Sequence, residues 1–452
     1  MRIGLDFGTT NSSAALYHNQ TVQFMTSSIT ESNGILPSLL YVTREHEHIV
    51  GRKAAERYLA DDTGRRAVWE TKEAGVLEYW VTLASDPNPV MVQHEIFVQE
   101  DIMAKGRLLQ SIKTALRNPG YAGTAIFERQ YPIQKLITLL LEQLYQATEI
   151  TMGKPIQSVL MGRPVTFTGH PKGDERSEAI LLQAAQAAGF AQVDFMAEPI
   201  AAAYSYHRQL NTSKLALIFD FGGGTLDLTV ARLGGEEKPH VLSSHGVLVG
   251  GDNFDRRIME KFLLAHFGEN ALCEGRSLSY QIFEQLLDWP RHPELTRGDL
   301  YTDIKYAAHF CHDESEFRAL LSLIDNKYGF KLFKEIEHTK MQLSEKDNHQ
   351  FTFKGTDINI QAMLTRRRFG RSIRDYCAEI DEAIGAVLEK AALSEKEIDV
   401  VIRTGGSSQV PTVVDILTKR FGDNKVESYD AFLSVASGLA IAAASMDENG
   451  TR

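Results

Sequence analysis

Cysteine is scarce in this chain. Cys273, Cys311 and Cys377 are the only three in 452 residues, and they show neither metal-ligand spacing nor the even count of a disulfide framework. Reduced thiols in the cytoplasm are therefore the expectation. Basic charge is also short: the formal net charge is −11, which argues against nucleic-acid phosphate as a partner. The one dense basic run, Arg366-Arg367-Arg368 with Arg371 and Arg374, reads as a solvated helix face paired with acids. No apolar run reaches the roughly 20 residues that cross a bilayer, and the most apolar late stretch, 435–445, is short and rich in Ala. The chain enters a strand pattern at once, Ile3-Gly4-Leu5-Asp6, with no room for the charged and apolar regions of a secretory leader. Long Pro, Ser or Gln tracts are missing too, so the whole chain is expected to fold, and its length predicts two lobes with a cleft between them.

What is present is an internal echo. Ile3-Gly4-Leu5-Asp6-Phe7-Gly8-Thr9-Thr10 returns as Leu217-Ile218-Phe219-Asp220-Phe221-Gly222-Gly223-Gly224-Thr225. Each copy is a strand, an Asp, a Gly/Thr turn and a second apolar strand, 13–17 in one case and 226–233 in the other, which predicts two β-hairpins in two related lobes. Helical periodicity follows at 133–151, 178–189 and 369–392, the last leading into a strand at 399–403. The fold class is α/β. The stretches 60–130 and 256–335 read as mixed, helix-leaning peripheral subdomains.

Four constellations carry chemistry. In the first hairpin Gly8 lets the backbone approach a ligand while Thr9 and Thr10 supply donors, as a phosphate grip requires. Asp6, ending a buried strand, aims a carboxylate at the same place, which makes sense if a cation sits between it and the phosphate. In the second, Gly222, Gly223 and Gly224 lie between Asp220 and Asp227; three glycines cost more backbone entropy than a turn needs, and close approach to phosphate accounts for them. Asp227 follows Thr225 by two residues, on its face of the strand, where it could orient a water. In Ala197-Glu198-Pro199-Ile200-Ala201, Glu198 is either a first-turn helix acid or a catalytic one. In Arg403-Thr404-Gly405-Gly406-Ser407-Ser408-Gln409-Val410-Pro411 a bare turn before a Pro-led helix either borders a nucleoside or is a plain strand-to-helix loop.

These four segments resemble, in the order just given, the phosphate-1, phosphate-2, connect-1 and adenosine motifs of the actin, sugar-kinase and DnaK superfamily, with Asp430-Ala431-Phe432 through Gly438-Leu439-Ala440 resembling connect-2. Within it the chain is similar to the DnaK-type chaperones of the heat-shock-seventy family, and to their YegD-like branch. Leu36-Pro37-Ser38, Val50-Gly51-Arg52, Gly250-Gly251-Asp252-Asn253-Phe254-Asp255, 337–344 and Leu364-Thr365-Arg366-Arg367-Arg368-Phe369 add to the match, which runs from residue 3 to residue 443. The resemblance implies an actin-like ATPase fold, a duplicated ribonuclease H-like motif. Its segments are a first lobe core of 1–35, 133–212 and 428–452, a peripheral part of 36–132, a second core of 213–255 and 373–427, and a peripheral part of 256–372.

The resemblance further implies ATP or ADP with Mg2+, slow hydrolysis and a chaperone-like switch. Asp6 and Asp220 would hold the metal through its water shell, and Thr9, Thr10, Gly8, Gly222, Gly223, Gly224 and Thr225 would cradle the phosphates. Glu198 and Asp227 would position the attacking water, with Lys113 the best match to the family's lysine and Lys105 and Lys72 the alternatives. Gly405, Gly406 and Ser407 would border the adenosine, Glu337 and Lys340 its ribose, and Pro164 would relay nucleotide state between lobes. Met341 and Gln409 stand where the family has arginines. Past residue 443 only nine residues remain, so no peptide-binding domain is expected. The inserted, aromatic segment 278–317 is expected to offer a protein-partner surface. The alternative functions are a nucleotide-sensing module that binds without hydrolysis, a small-molecule kinase and an actin-like filament protein.

Overall fold

The computed structural model describes residues 2–83, 86–154, 156–208, 210–235, 239–296, 298–311, 315–428 and 434–450, without the side chains of 73–90, 92–99 and 447–450. Asp430, Ala431 and Phe432 of the connect-2 match lie outside the described residues.

The echo in sequence is an echo in topology. In the first sheet the meander Arg2–Phe7, Asn11–His18 and Thr21–Phe24 is antiparallel, and Arg2–Phe7 pairs on its other side in parallel with Ser158–Arg163, which pairs in parallel with Gln192–Ala197. The second sheet repeats this order: Lys214–Phe221, Leu226–Leu233 and His240–Val247 form the meander, followed in parallel by Val400–Thr404 and Val426–Ser428. Asp6 and Asp220 thus end equivalent central strands. Lys214–Phe221 is apolar on both faces, with Leu217 and Phe219 buried on one and Ala216 and Ile218 on the other, as a sheet covered by helices on both sides demands, while Arg2–Phe7 buries Ile3, Leu5 and Phe7 on one face and the bare Gly4 on the other.

Crossover helices supply that cover. Ile133–Met152 buries Leu136, Ile137, Leu140, Leu141 and Leu144 and stops at Gly153, whose φ of 67° closes the last turn through a bond to the Glu149 carbonyl. Helix Pro171–Ala187 begins seven residues ahead of the periodic stretch, because Pro171 leads its first turn before the apolar stripe starts. The single helix expected over 369–392 is two, Arg366–Ser372 and Arg374–Ala391, broken at Ile373 (φ −102°, ψ 15°). Thr365 caps the first by accepting from the Arg368 amide at 3.3 Å. The basic run there meets its expected partners in part: Arg366 pairs with Asp347 at 2.9 Å, while Arg368 covers the Phe262 ring.

The helix-leaning expectation for 60–130 is corrected. After Arg52–Asp61 this region is dominated by strands: a long hairpin Trp69–Leu83 with Asp86–Asp101, the strand Gly106–Leu109 on Leu40–Thr43, and the hairpin Gly123–Ile126 with Arg129–Pro132. Charged residues every few positions hid the Val, Tyr and Trp content that suits strands. The reading of 256–335 as helical stands, with helices from Gly251–Ile258 to Gly329–Glu345 before the hairpin Asn348–Gly355 with Ile358–Thr365.

The cysteine expectation is also corrected. Cys273 and Cys311 form a disulfide with Cα atoms 5.5 Å apart, and only Cys377, buried, is free. They are 38 residues apart in sequence, but the helix Gly298–Phe310 folds back and packs Ala307 and Ala308 beside Ala271. Spacing cannot register that return, and the cytoplasmic expectation loses the support it drew from reduced thiols. No described helix is long and apolar enough to cross a membrane.

Candidate functional site

The turns of the two hairpins face each other. A methyl group added at Gly223 would lie 2.7 Å from Thr10 Oγ1, and one at Gly224 would lie 3.3 Å from Thr9 Oγ1; the bare glycines are what allow this approach. Each turn is held from behind. Ser38 donates to the Gly8 carbonyl at 2.9 Å and its amide bonds Thr10 O. Gly222 N–H bonds Thr225 O at 3.0 Å, and the Gly222 and Gly223 carbonyls accept from the Gly251 and Asp252 amides. Between the turns opens a cavity of about 340 Å³, in the size range of small-molecule sites.

The cavity collects nearly all of the residues singled out from sequence. Asp6, Gly8, Thr9 and Thr10 line it from the first lobe with Lys113, Pro164 and Glu198; Asp220, Gly222, Gly223, Gly224 and Thr225 line it from the second. Glu337, Lys340 and Met341 of helix Gly329–Glu345 form one side wall, and Gly405, Gly406, Ser407 and Gln409 the other. Gly405 has φ 82°, and a side chain there would strike the Phe221 carbonyl at 2.2 Å; Ser407 Oγ donates to Gly222 O at 2.9 Å. The adenosine-type turn is therefore clasped directly to the second hairpin.

Asp227 is the exception. It is 2% exposed and lies behind the cavity wall, where its Oδ1 accepts from the Val165 amide at 2.9 Å. The bond ties the second hairpin to the Gly162-Arg163-Pro164-Val165 turn of the first lobe. The three candidate lysines also separate. Lys113 is buried, with Nζ 2.6 Å from Glu198 Oε1; Lys72 pairs with Glu100 and Lys105 with Asp61, both away from the cavity.

Charge is unevenly distributed at the floor. Burial, then the charges of Glu198 and others, push Asp6 and Asp227 up to about 7 and Asp220 well above the usual carboxylate range. Burial works against the charge of Lys113, yet Glu198, Asp6 and Asp227 outweigh it and keep the ammonium above its ordinary value. One ammonium among the carboxyl groups of Asp6, Asp220 and Glu198, with Asp227 behind them, leaves a surplus of oxygen ligands, a donor set suited to a hard divalent cation such as Mg2+.

Three residues gained a place that sequence did not give them. Arg117 closes the turn Ile112–Arg117, one turn after Lys113, and reaches across to donate to Gly224 O at 2.7 Å; a cation four residues after Lys113 was its only signal. Asp252 and Asp255, quoted in the Gly250–Asp255 match without a role, line the cavity near Lys340, whose Nζ is 2.8 Å from Asp255 Oδ2. Burial raises Asp255 to about 7 and Asp252 to about 6. In the segment 278–317, Ile282, Phe283, Leu286 and Ile304 are buried, while Tyr280, Tyr306 and Phe310 are exposed.

A sequence model of the family described as Hsp70 protein matches residues 90–284 and 301–450, more than half of the chain. The chain belongs to the Hsp70 family. Its fold is accordingly the Hsp70 and actin-like ATPase fold, with the two matching sheets as its duplicated halves. Among curated relatives, proteins named heat shock 70 kDa protein 13 from Pongo abelii, Rattus norvegicus and Bos taurus are each 23% identical over 458 aligned positions, covering 98% of this chain and 87% of the relative. Hsp70 membership brings nucleotide binding and a chaperone-like role at the level of the family.

Proposed function

We propose that this Hsp70-family chain binds ATP with Mg2+ in the cavity between the hairpins and hydrolyses it slowly, the lobes closing on the nucleotide and reopening afterwards. The observation that carries the reading is the apposition of two Gly/Thr/Asp turns over a floor of buried carboxylates with one lysine. Asp6 and Asp220 would hold Mg2+ through its waters, where the ion would offset phosphate charge. Gly8, Thr9, Thr10, Gly222, Gly223, Gly224 and Thr225 would donate to the phosphates, and Arg117, poised at Gly224, would add a cation to that cradle. Lys113 would meet the terminal phosphate while Glu198 orients the attacking water; Asp227, from its buried seat, would position Thr225 and the Val165 backbone.

Glu337 and Lys340 would contact the ribose, with Gly405, Gly406 and Ser407 beneath the nucleoside and Met341 supplying an apolar cover for the base. Chemistry that rests on positioning rather than on a strong base should be slow. A second reading, binding without turnover, is favoured by one contact: Lys113 and Glu198 already satisfy each other at 2.6 Å, so neither is free for phosphate or water until the pair opens.

Titration calorimetry with ATP, ADP and GTP in Mg2+, followed by phosphate release, tests both. Saturable ATP binding, with release that falls about tenfold or more in Glu198→Gln and Asp6→Asn, is the expected result. Saturable binding with release unaffected by either change would establish the non-hydrolytic reading; no binding of any nucleotide would overturn both.

A further inference from the structure

Helix Gly329–Glu345 has three flanks. Leu332, Ile336, Thr339 and Leu343 are buried, and Glu337, Lys340 and Met341 look into the cavity. Glu335 and His338, three residues apart and so neighbours on one side of the helix, occupy the flank away from the cavity. There they meet His349, on the strand Asn348–Gly355 that follows the helix. The His338 and His349 rings lie 5.6 Å apart between centroids at 78°. One ligand atom from each of the three residues lies within 4.8 Å of the other two.

Ordinary packing leaves this cluster unexplained. His349 Nε2 is shielded from solvent and has no hydrogen-bond partner, an omission that costs about 1–3 kcal/mol at a buried polar atom. Burial, with the neighbouring His338 and Lys346 adding to it and Glu335 opposing, lowers the pKa of His349, which favours the neutral ring that a cation needs.

We propose that Glu335, His338 and His349 form a binding site for a divalent transition cation of the zinc class, separate from the nucleotide cavity and pinning helix Gly329–Glu345 to the hairpin beside it. Two imidazoles and one carboxylate are a set such cations accept, with a fourth position left for water. Tetrahedral zinc holds its nitrogen and oxygen ligands about 3.3 Å apart, so the three atoms need to close by no more than about 1.5 Å from the 4.8 Å they now span. His338 is exposed and can swing by side-chain rotation alone.

The test is titration of the chelator-stripped full chain with Zn2+ by calorimetry and with Co2+ by visible absorption. The expected result is one saturable equivalent, a tetrahedral Co2+ spectrum, and a rise in melting temperature with Zn2+. His338→Ala, an exposed change that spares the fold, should weaken this site by about tenfold or more and abolish the spectrum. Glu335→Gln should weaken binding without unfolding, while His18→Ala, an exposed histidine far from the cluster, should change nothing. Equal affinity and spectrum in wild type and His338→Ala, or only weak non-saturating uptake spread over the histidines, would overturn the proposal.

Discussion

His292 shows how one side chain imports a pH dependence. Its ring is buried, Nε2 meets the Leu286 carbonyl at 3.1 Å and Nδ1 has no partner; a Cβ on Gly329 would sit 2.5 Å from it. Burial holds its pKa at about 4, the Leu286 bond only partly opposing, against 6.5 for a free imidazole. The folded pKa is depressed, so below 6.5 the unfolded chain binds the proton first and stability drains away as pH falls toward 4. Between pH 7 and 5 the loss should be about 2 kcal/mol. Urea midpoints should show it in wild type and not in His292→Gln; the same acid slope in both would refute the assignment. Lys113 makes the complementary point. Sequence narrowed the family's lysine to three positions, and only the folded chain buries one of them, Lys113, against a carboxylate of the cavity, Glu198. Asp227 was legible as part of the motif but not its burial, since a residue's depth depends on what packs over the strand.

At the level of elements, the tightest contact is a helix crossing. Helix Ser434–Gly450 lies across Glu198–His207 and the first strand, and a Cβ on Gly438 would fall 1.6 Å from the Ala201 carbonyl oxygen, while one on Gly4 would fall 2.2 Å from Ala440 N. Both neighbours are backbone, which cannot rotate aside. Gly438→Ala should therefore cost about 3 kcal/mol or more, read as a fall in melting temperature, whereas Gly385→Ala, which meets nothing within 4 Å, should be neutral or stabilising. The disulfide yields a chemical prediction. Denatured without reductant, the chain should take up alkylating reagent at Cys377 alone, and at all three cysteines after reduction; uptake at three without reductant would remove the Cys273–Cys311 bond. Strands with clean alternation and helices with long apolar stripes were readable in advance. The long hairpin after Trp69 was not, because its pairing partner rather than its own pattern makes it a strand.

Across the whole molecule, the peripheral parts of the two lobes are bridged above the cavity. Lys327 Nζ lies 2.7 Å from Asp101, the Gly64 and Ala67 amides bond the Asn326 and Asp325 carbonyls at 2.8 Å, and the Tyr58 ring meets Phe330 edge-on at 5.9 Å. On the proposed reading, a nucleotide in the cavity is expected to leave when this bridge opens. Lys327→Ala should remove about 1–2 kcal/mol from closure and speed nucleotide release roughly five- to thirtyfold, with Asp101 still held by Arg65 at 2.6 Å. Stopped-flow displacement of a fluorescent nucleotide measures it; an unchanged release rate would show that the bridge does not gate the cavity. The sequence by itself determined the duplicated lobes, the two Gly/Thr/Asp turns and the family, because those are set by local backbone freedom and by strand periodicity that any reading of the chain meets in order. Only the tertiary structure decided which lysine is buried against Glu198, that Arg117 reaches Gly224, that Cys273 joins Cys311, and that the lobes are bridged above the cleft. Each of those is a contact between residues far apart along the chain or on different elements, whose meeting depends on how whole elements pack rather than on anything their own neighbours encode.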